Sequence, residues 1–301
     1  MKRIKVHKKS NIFLKIFIFI FIFGIFSGLF LFYGPWHGFR DFWITTAMTT
    51  KSHQYLATWL YSDKTIEEVL EANKVISPDE NSNLDLIEIN DTKSDNNLYT
   101  NEYEKQVLEH DEDEIYKYFK VEGYSFDAYM AVIYDPSKVS VVHTKYMGSD
   151  GQYLVDMAKE NNAIVAINGG GFLDQDGEGT GGQPVGIIIE DNKIIQSSKG
   201  NVGGLIGFTN DNKLFLGYVS AKEAINMGIR DAIEFGPFLI VNGKSASITG
   251  NGGYGIHPRS AIGQRQDGIV LFLVIDGRRV DSVGASIKDV MEIMENYGAY
   301  N

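Results

Sequence analysis

Arg259-Ser260-Ala261-Ile262-Gly263-Gln264, then Arg265-Gln266-Asp267-Gly268, then Ile269-Val270-Leu271-Phe272-Leu273-Val274-Ile275 form the most legible stretch of the chain. Two apolar runs flank Gln266-Asp267-Gly268, which is turn chemistry, and this predicts an antiparallel hairpin. The second run is the most hydrophobic strand and ends at Asp276-Gly277-Arg278-Arg279. The same grammar repeats outward. Residues 128–134 and 139–143 flank Asp135-Pro136-Ser137, 185–190 and 193–196 meet across Asp191-Asn192, and 205–208 and 213–217 meet across Asn210-Asp211. Residues 238–241 precede the turn Asn242-Gly243, and 163–167 are wholly apolar, which predicts a short buried strand. Helices are few: 151–161, 220–227 and 286–297, the last with Ile287, Val290, Met291 and Met294 as its apolar face. No βαβ alternation and no internal repeat is present. The predicted fold is therefore α+β, mostly antiparallel or mixed sheet with a few helices.

Composition sets the boundaries. The chain has 301 residues, no cysteine and a net charge of −11. Disulfide scaffolds, thiolate metal sites and a cysteine nucleophile are excluded, and the charge argues against nucleic acid as a partner. Thirteen acids against two lysines between Asp79 and Glu114 account for the whole −11, so the rest of the chain is balanced. Only four of 32 glycines precede residue 120. Near the N-terminus, Lys2, Arg3, Lys5, Lys8, Lys9 and Lys15 carry no acid among them, and 16–33 run without a charge. Such a run spans about 27 Å as a helix, close to the hydrocarbon thickness of a bilayer. It predicts one N-terminal transmembrane helix, with the basic flank in the cytoplasm and the remainder extracellular; a cleaved signal peptide is the competing reading.

The resulting organisation is a basic cytoplasmic tail (1–15), an anchor (16–33), a juxtamembrane helical segment (34–76), an acidic linker (77–120) and a glycine-rich domain (121–301). Within 34–76, Ser62 or Asp63 is the expected cap of a helix. Thr45, Thr46, Thr49, Thr50, Ser52 and His53 read as polar helix faces rather than as chemistry. A further helix is expected within 101–120, ending in Asp111-Glu112-Asp113-Glu114, which reads as a solvated charge run.

Several residues of the glycine-rich domain could carry chemistry. Asn168-Gly169-Gly170-Gly171-Phe172 lets backbone approach a ligand and present N–H groups, although a plain structural turn fits as well. No Gly-Lys-Ser/Thr follows it, so it is not a P-loop. His257-Pro258-Arg259-Ser260 follows the glycine-rich 250–255 loop and could present His257 and Arg259 to an anion, since guanidinium matches phosphate oxygens; a surface salt bridge is the alternative. Asp276 leaves the end of a strand where a carboxylate can do acid/base or nucleophilic work, or simply close a turn. His143 reads as structural. Asp174, Asp176 and Glu178 could hold a cation but fit a turn better. No metal ligand set is persuasive and no cofactor is evident, with a divalent cation as the remaining alternative.

Taken together, five segments resemble the phosphodiester glycosidase family: 166–172, 184–187 with the hairpin after it, 236–243, Arg259-Ser260-Ala261-Ile262-Gly263 (Arg-Thr-Ala-Ile-Gly in the family) and Asp276-Gly277-Arg278. Their order and spacing cover about residues 121–301. The resemblance implies a hydrolase of sugar-1-phosphodiesters. Its bacterial members, linked to exopolysaccharide biosynthesis, suggest a phosphosugar or cell-envelope glycan as substrate. It further implies Arg259, with His257, as a phosphate clamp, Asn168 and the Gly169–Gly171 backbone with Arg278 as substrate contacts, and Asp276 as one carboxylate. The family continues after its last helix into an Asp-Gly-Gly type motif, and this sequence ends at Asn301 at or before that point. The expectation is thus a domain incomplete at its C-terminus, either a fragment or a truncated relative, whose own activity is low. A non-catalytic module that binds envelope glycopolymer is the rival reading.

Overall fold

The computed structural model describes residues 11–50, 52–89, 99–173, 181–197 and 203–301. Most of the basic tail, part of the acidic linker and the loop bearing Asp174, Asp176 and Glu178 lie outside the described residues.

The chain opens with helix α1 (Ile12–Tyr33), 22 residues long and unburied along its hydrophobic window. It is one apolar helix long enough to cross a membrane, as an anchor or as a signal sequence. Three helices follow, α2 (His37–Met48), α3 (Tyr55–Thr58) and α4 (Asp63–Ala72). Ser62 caps α4 by accepting from Thr65 N at 3.3 Å. These helices share a small core of Ile44, Ala47, Ala57, Tyr61, Ile66 and Val69.

Residues 75–89 are laid against the glycine-rich domain rather than extended as a linker. Strand β1 (Val75–Ile76) pairs with a later strand, Ser82 exchanges bonds of 2.8 and 2.9 Å with Leu216, and Glu88 N donates to Gln266 O at 2.8 Å. Ile87 is fully buried, while Asp79, Asp85 and Glu88 face solvent. The acids alone suggest a solvated spacer; the intervening Ser82 and Ile87 tie it down. Helix α5 (Glu102–Leu108) is capped by Asn101, and Asp111–Glu114 form the turn after it.

Two antiparallel sheets make the domain. The first contains β2 (Tyr116–Val121), β3 (Ala128–Ile133), β12 (Arg259–Gln264) and β13 (Val270–Ile275), in the order β12-β13-β3-β2. The second contains β4 (Ile188–Glu190), β5 (Lys193–Gln196), β6 (Gly204–Thr209), β7 (Leu214–Gly217) and β8 (Ile229–Phe235), in the order β5-β4-β8-β6-β7. Between β8 and β12 run three short strands, β9 (Ile240–Val241), its hairpin partner β10 (Lys244–Ser245), and β11 (Ser247–Ile248), which pairs with β1. Helices α6 (Leu154–Glu160), α7 (Ala221–Asn226) and α8 (Ile287–Asn296) complete the domain. Capping boxes start two of them, Ser220 with Glu223 on α7 and Ser286 with Asp289 on α8. Val290, Met291 and Met294 of α8 pack on Met130, Val132, Leu271 and Leu273 of the first sheet, and Ile287 is buried at the start of the helix. Each such buried side chain stabilises by about 1.5–3 kcal/mol. The opposite face of that sheet, through Ile133 and Val270, meets Phe208, Leu214 and Leu216 of the second.

The β12–β13 hairpin has the expected register, Arg259 opposite Ile275 and Gln264 opposite Val270. Two expected strands do not form. Residues 139–143 do not pair back on β3, because β2 and β13 occupy both of its edges. They cross instead to β8, where Arg230 donates to Val139 O at 2.8 Å and Asp231 accepts from Val141 N at 3.3 Å. Residues 163–167 are irregular, with Ile164 66% exposed, because no strand among the described residues lies alongside them. The central strand β8 escapes sequence reading because Arg230, Asp231 and Glu234 interrupt its apolar pattern. Those charges are nonetheless held inside, with Arg230 and Asp231 paired to each other and Glu234 accepting from Ile187 N at 3.0 Å.

One buried side chain joins the two sheets. Gln264, inaccessible to solvent, accepts from Leu214 N (2.6 Å) and donates to Asn212 O (3.0 Å) and Gly268 O (2.8 Å). Leucine at this position fills a similar volume and leaves three backbone groups unpaired. Gln264→Leu is expected to lower the unfolding free energy by about 3 kcal/mol, measured by urea denaturation.

Candidate functional site

The glycine-rich loop 250–257, the start of β12 and the turn after β13 meet at one corner of the first sheet. Their meeting depends on glycines. A Cβ on Gly277 would stand 2.7 Å from Pro258 N, and one on Gly284 (φ +114°) 2.5 Å from the His257 carbonyl carbon. These close approaches let the 276–285 turn lie directly on His257 and Pro258, sealed by Ala285 N donating to His257 O (2.9 Å) and His257 N to Ala285 O (3.2 Å).

Arg259 is half-buried, and its fork is used on this loop. Nη2 donates to Tyr254 O and Gly255 O, each at 2.8 Å, and Nε to Ala285 O at 3.2 Å. Nη1 makes no hydrogen bond among the described residues. The surface salt bridge that the sequence leaves open is not formed: three carbonyls and no carboxylate surround the guanidinium, and burial lowers its pKa. Arg278 is exposed, sits at φ +61° and has no ion-pair partner among the described residues. Both arginines act on His257. Burial first, then the charges of Arg259 and Arg278, push its pKa down to about 4, so the imidazole is neutral at pH 7. Arg259 and Arg278, beside a neutral His257, thus form a cationic corner with no paired acid among the described residues.

Asp276 borders this corner, one residue past Ile275, the register partner of Arg259. Its Oδ1 accepts from Gly277 N (2.8 Å) and its Oδ2 from Arg279 Nη1 (2.6 Å). The aspartate closes the turn and is half-exposed. Arg279, which it shares with Asp281, has its pKa raised by the two carboxylates.

Asn168 lies elsewhere. Its Oδ1 accepts from Ser260 Oγ at 2.7 Å. Ser260 follows Arg259 in β12, and alternation sends their side chains to opposite faces of the sheet. Gly169, Gly170 and Gly171 pass over β8, where added Cβ atoms would meet Ile233 and Phe235. Gly171 O accepts from Val185 N at 3.0 Å. The structure therefore brings His257, Arg259 and Arg278 together, sets Asp276 in the adjoining turn on Arg279, and places Asn168–Gly171 across the sheet from Arg259. His143 pairs through Nδ1 with Glu190 Oε2 at 2.5 Å. Among the described residues no three His, Asp or Glu side chains gather to hold a metal ion.

Thr49, which the sequence suggests is only a polar helix face, reaches His257 across 208 positions: Thr49 Oγ1 lies 2.8 Å from His257 Nε2. The same hydroxyl lies 2.9 Å from Thr45 O and 3.0 Å from Thr46 O. If the hydroxyl proton goes to one of these carbonyls, His257 Nε2–H is the donor and Nδ1 is left as an acceptor. Only the local pattern of threonines at helical spacing hints at this, and it does not name the partner.

The model of the phosphodiester glycosidase family matches residues 161–301. A curated relative, the SPbeta prophage-derived uncharacterized protein YomE of Bacillus subtilis (strain 168), is 29% identical over 178 residues. That similarity covers 56% of this chain and 27% of the relative, so the chain spans about a quarter of the curated protein's length. Among solved structures, the catalytic domain of zebrafish N-acetylglucosamine-1-phosphodiester alpha-N-acetylglucosaminidase, auto-inhibited by its pro-peptide, has a similar fold. The TM-score is 0.51 at 20% identity, covering 64% of this chain and 71% of that one.

Two measurements check the site. For His257 the folded pKa, about 4, lies below the ordinary 6.5. Between these values the unfolded chain binds the extra proton, so stability is full above pH 6.5 and falls as pH drops toward 4. His257→Gln is expected to flatten that part of the stability profile. In addition, ¹⁵N spectra at pH 7 should show the Nε2–H tautomer of His257, and Thr49→Val should shift its ring resonances toward a tautomer mixture.

Proposed function

We propose that this chain, whose residues 161–301 match the phosphodiester glycosidase family, acts on sugar-1-phosphodiesters. The observation that carries the reading is the cationic corner of Arg259 and Arg278 around His257, with no paired carboxylate among the described residues and with Asp276 in the adjoining turn. A phosphodiester presents one negative charge, and hydrolysis at the sugar carbon leaves a phosphate monoester with a second. Fixed positive groups therefore stabilise the leaving group more than the substrate. In this reading the bond between C1 of the sugar and the phosphate oxygen breaks, water adds at C1, and the products are a free reducing sugar and a phosphate monoester.

Arg278 and the unused Nη1 of Arg259 receive the phosphate oxygens. The remaining Arg259 donors hold the loop, so Arg259 both builds the site and contributes to it. Neutral His257 offers Nδ1 as a proton acceptor or, once a phosphate dianion sits beside it, binds a proton. Asp276 supplies a carboxylate for the positive charge that develops on the sugar. Asn168 and the Gly169–Gly171 backbone belong to a second contact surface beyond Ser260, suited to the remainder of a glycan. Helix α1 is read as a membrane anchor that holds the domain at the outer face of the cell, with a phosphosugar or envelope glycan as substrate. Exopolysaccharide is one such glycan.

The test is incubation of the chain with a methyl diester of a hexose 1-phosphate. Turnover appears as reducing sugar together with methyl phosphate. Arg278→Ala is expected to lower kcat/KM by about 10- to 100-fold through loss of a charge-assisted phosphate contact. Binding of the diester that raises the His257 pKa without releasing sugar favours a glycopolymer-binding module instead. Neither turnover nor a change at His257 overturns both readings.

A further inference from the structure

The end of α1 is built into the helices that follow it. Tyr61 donates its hydroxyl to Phe32 O at 2.8 Å, and Tyr33 donates to Leu60 O at 2.9 Å. The Phe32 ring packs edge-on against Trp43 and Phe39, with centroids 5.0 and 5.3 Å away. The last turn of the apolar helix therefore shares the small core of α2, α3 and α4.

Around this junction the surface is aromatic. Trp59 is 80% exposed and Trp36 56% exposed, and Tyr33 and Tyr55 are exposed as well. Trp59 lies 4.9 Å from the Tyr55 ring, and its neighbour Leu60 is bonded to Tyr33. All three tryptophans of the chain lie in this segment, and the third, Trp43, is turned inward with its indole N–H on Leu56 O at 2.9 Å. Rings of this size lose a large apolar area to water, and tryptophan and tyrosine are the residues that settle at the boundary between lipid and water. Their position beside the end of α1 matches that boundary.

The same helical unit also grips the candidate site. Asn251 Nδ2 donates to Thr45 Oγ1 at 2.9 Å, Asn251 N to Asn73 Oδ1 at 2.9 Å, and Thr49 meets His257. Gly255 (φ +61°) lies so near α2 that a Cβ there would come within 2.7 Å of Thr46 Cα.

We propose that α2 and α3 form a membrane-docking surface whose Trp36, Trp59, Tyr33 and Tyr55 lie in the headgroup layer of the bilayer, and that this surface holds the His257–Arg259 corner close to the membrane. The inference rests on α1 spanning the bilayer. The 12 residues of α2 cover about 18 Å, which sets the scale of the distance between the end of α1 and Thr49.

The test reconstitutes the full chain in phosphatidylcholine–phosphatidylglycerol vesicles whose acyl chains carry bromine either near the headgroups or near the bilayer centre. Shallow bromine is expected to quench about half of the tryptophan emission, and deep bromine much less. Trp36→Phe and Trp59→Phe each remove part of the quenching and together remove most of it. Trp43→Phe leaves the bromine-sensitive emission in place. The exposed positions tolerate phenylalanine without loss of fold, which circular dichroism verifies. An alkaline carbonate wash separates the two ways of failing. If the chain stays with the vesicles while its emission ignores lipid bromine and is quenched by aqueous iodide, the docking surface is wrong and the anchor stands. If the wash releases the chain, the anchor reading fails and this proposal fails with it.

Discussion

The buried amide of Gln264 is the contact on which the domain depends. Its carbonyl oxygen accepts from the start of β7, and its amide nitrogen donates to the turn before β7 and to the β12–β13 turn. The backbone of the same residue accepts from Tyr300 N and donates to Asn301 O, both at 2.8 Å, so the last residues also lie along β12 through it. A side-chain amide in this position has four hydrogen-bonding sites and no alternative partner in water. It therefore helps to fix the relative placement of two sheets whose facing side chains are mainly apolar and set no register. The position of β12 follows from this contact, and with it the position of the candidate site.

The site is a consequence of backbone crowding. Gly277 and Gly284 let one turn lie flat on His257 and Pro258, and Gly255 lets the preceding loop lie against α2. In such a space a guanidinium cannot swing out to solvent, so Arg259 satisfies itself on carbonyls. The result is a charge fixed by neutral groups, with a second arginine close by and a histidine that both suppress. Carboxylate partners would neutralise this corner. Asp276, the nearest acid by sequence, is instead engaged by Arg279. The local field thus stays positive where an anion could enter, in a chain whose net charge is strongly negative.

The helical unit between α1 and the domain has two tasks that sequence inspection treats as one. Its apolar face makes a small core and captures the end of α1. Its polar face, through Thr45, Thr49 and Asn73, completes the loop of the site. Hydroxyl groups at the end of a helix usually bond back to the preceding turn, and those of Thr45 and Thr49 do so here. Back-bonding by Thr49 leaves its oxygen free to accept from His257, 2.8 Å away.

The sequence by itself determined the apolar N-terminal helix, the α+β class, the β12–β13 hairpin and the capped helices α7 and α8. Each of these rests on local signals: hydrophobic period, turn residues and cap residues within a few positions of one another. It also offered His257, Arg259, Arg278 and Asp276 as candidates, all four within or beside one hairpin. Only the tertiary structure decided what lies far apart in the chain. The strand β8 is central because its charges find partners on other segments, residues 139–143 leave β3 because both edges of that strand are taken, and Asn168 falls on the face of β12 opposite Arg259. The contact of Thr49 with His257 belongs to the same class. Pairings between distant residues depend on which surfaces remain free once the sheets have formed, and no local pattern of residue types encodes that.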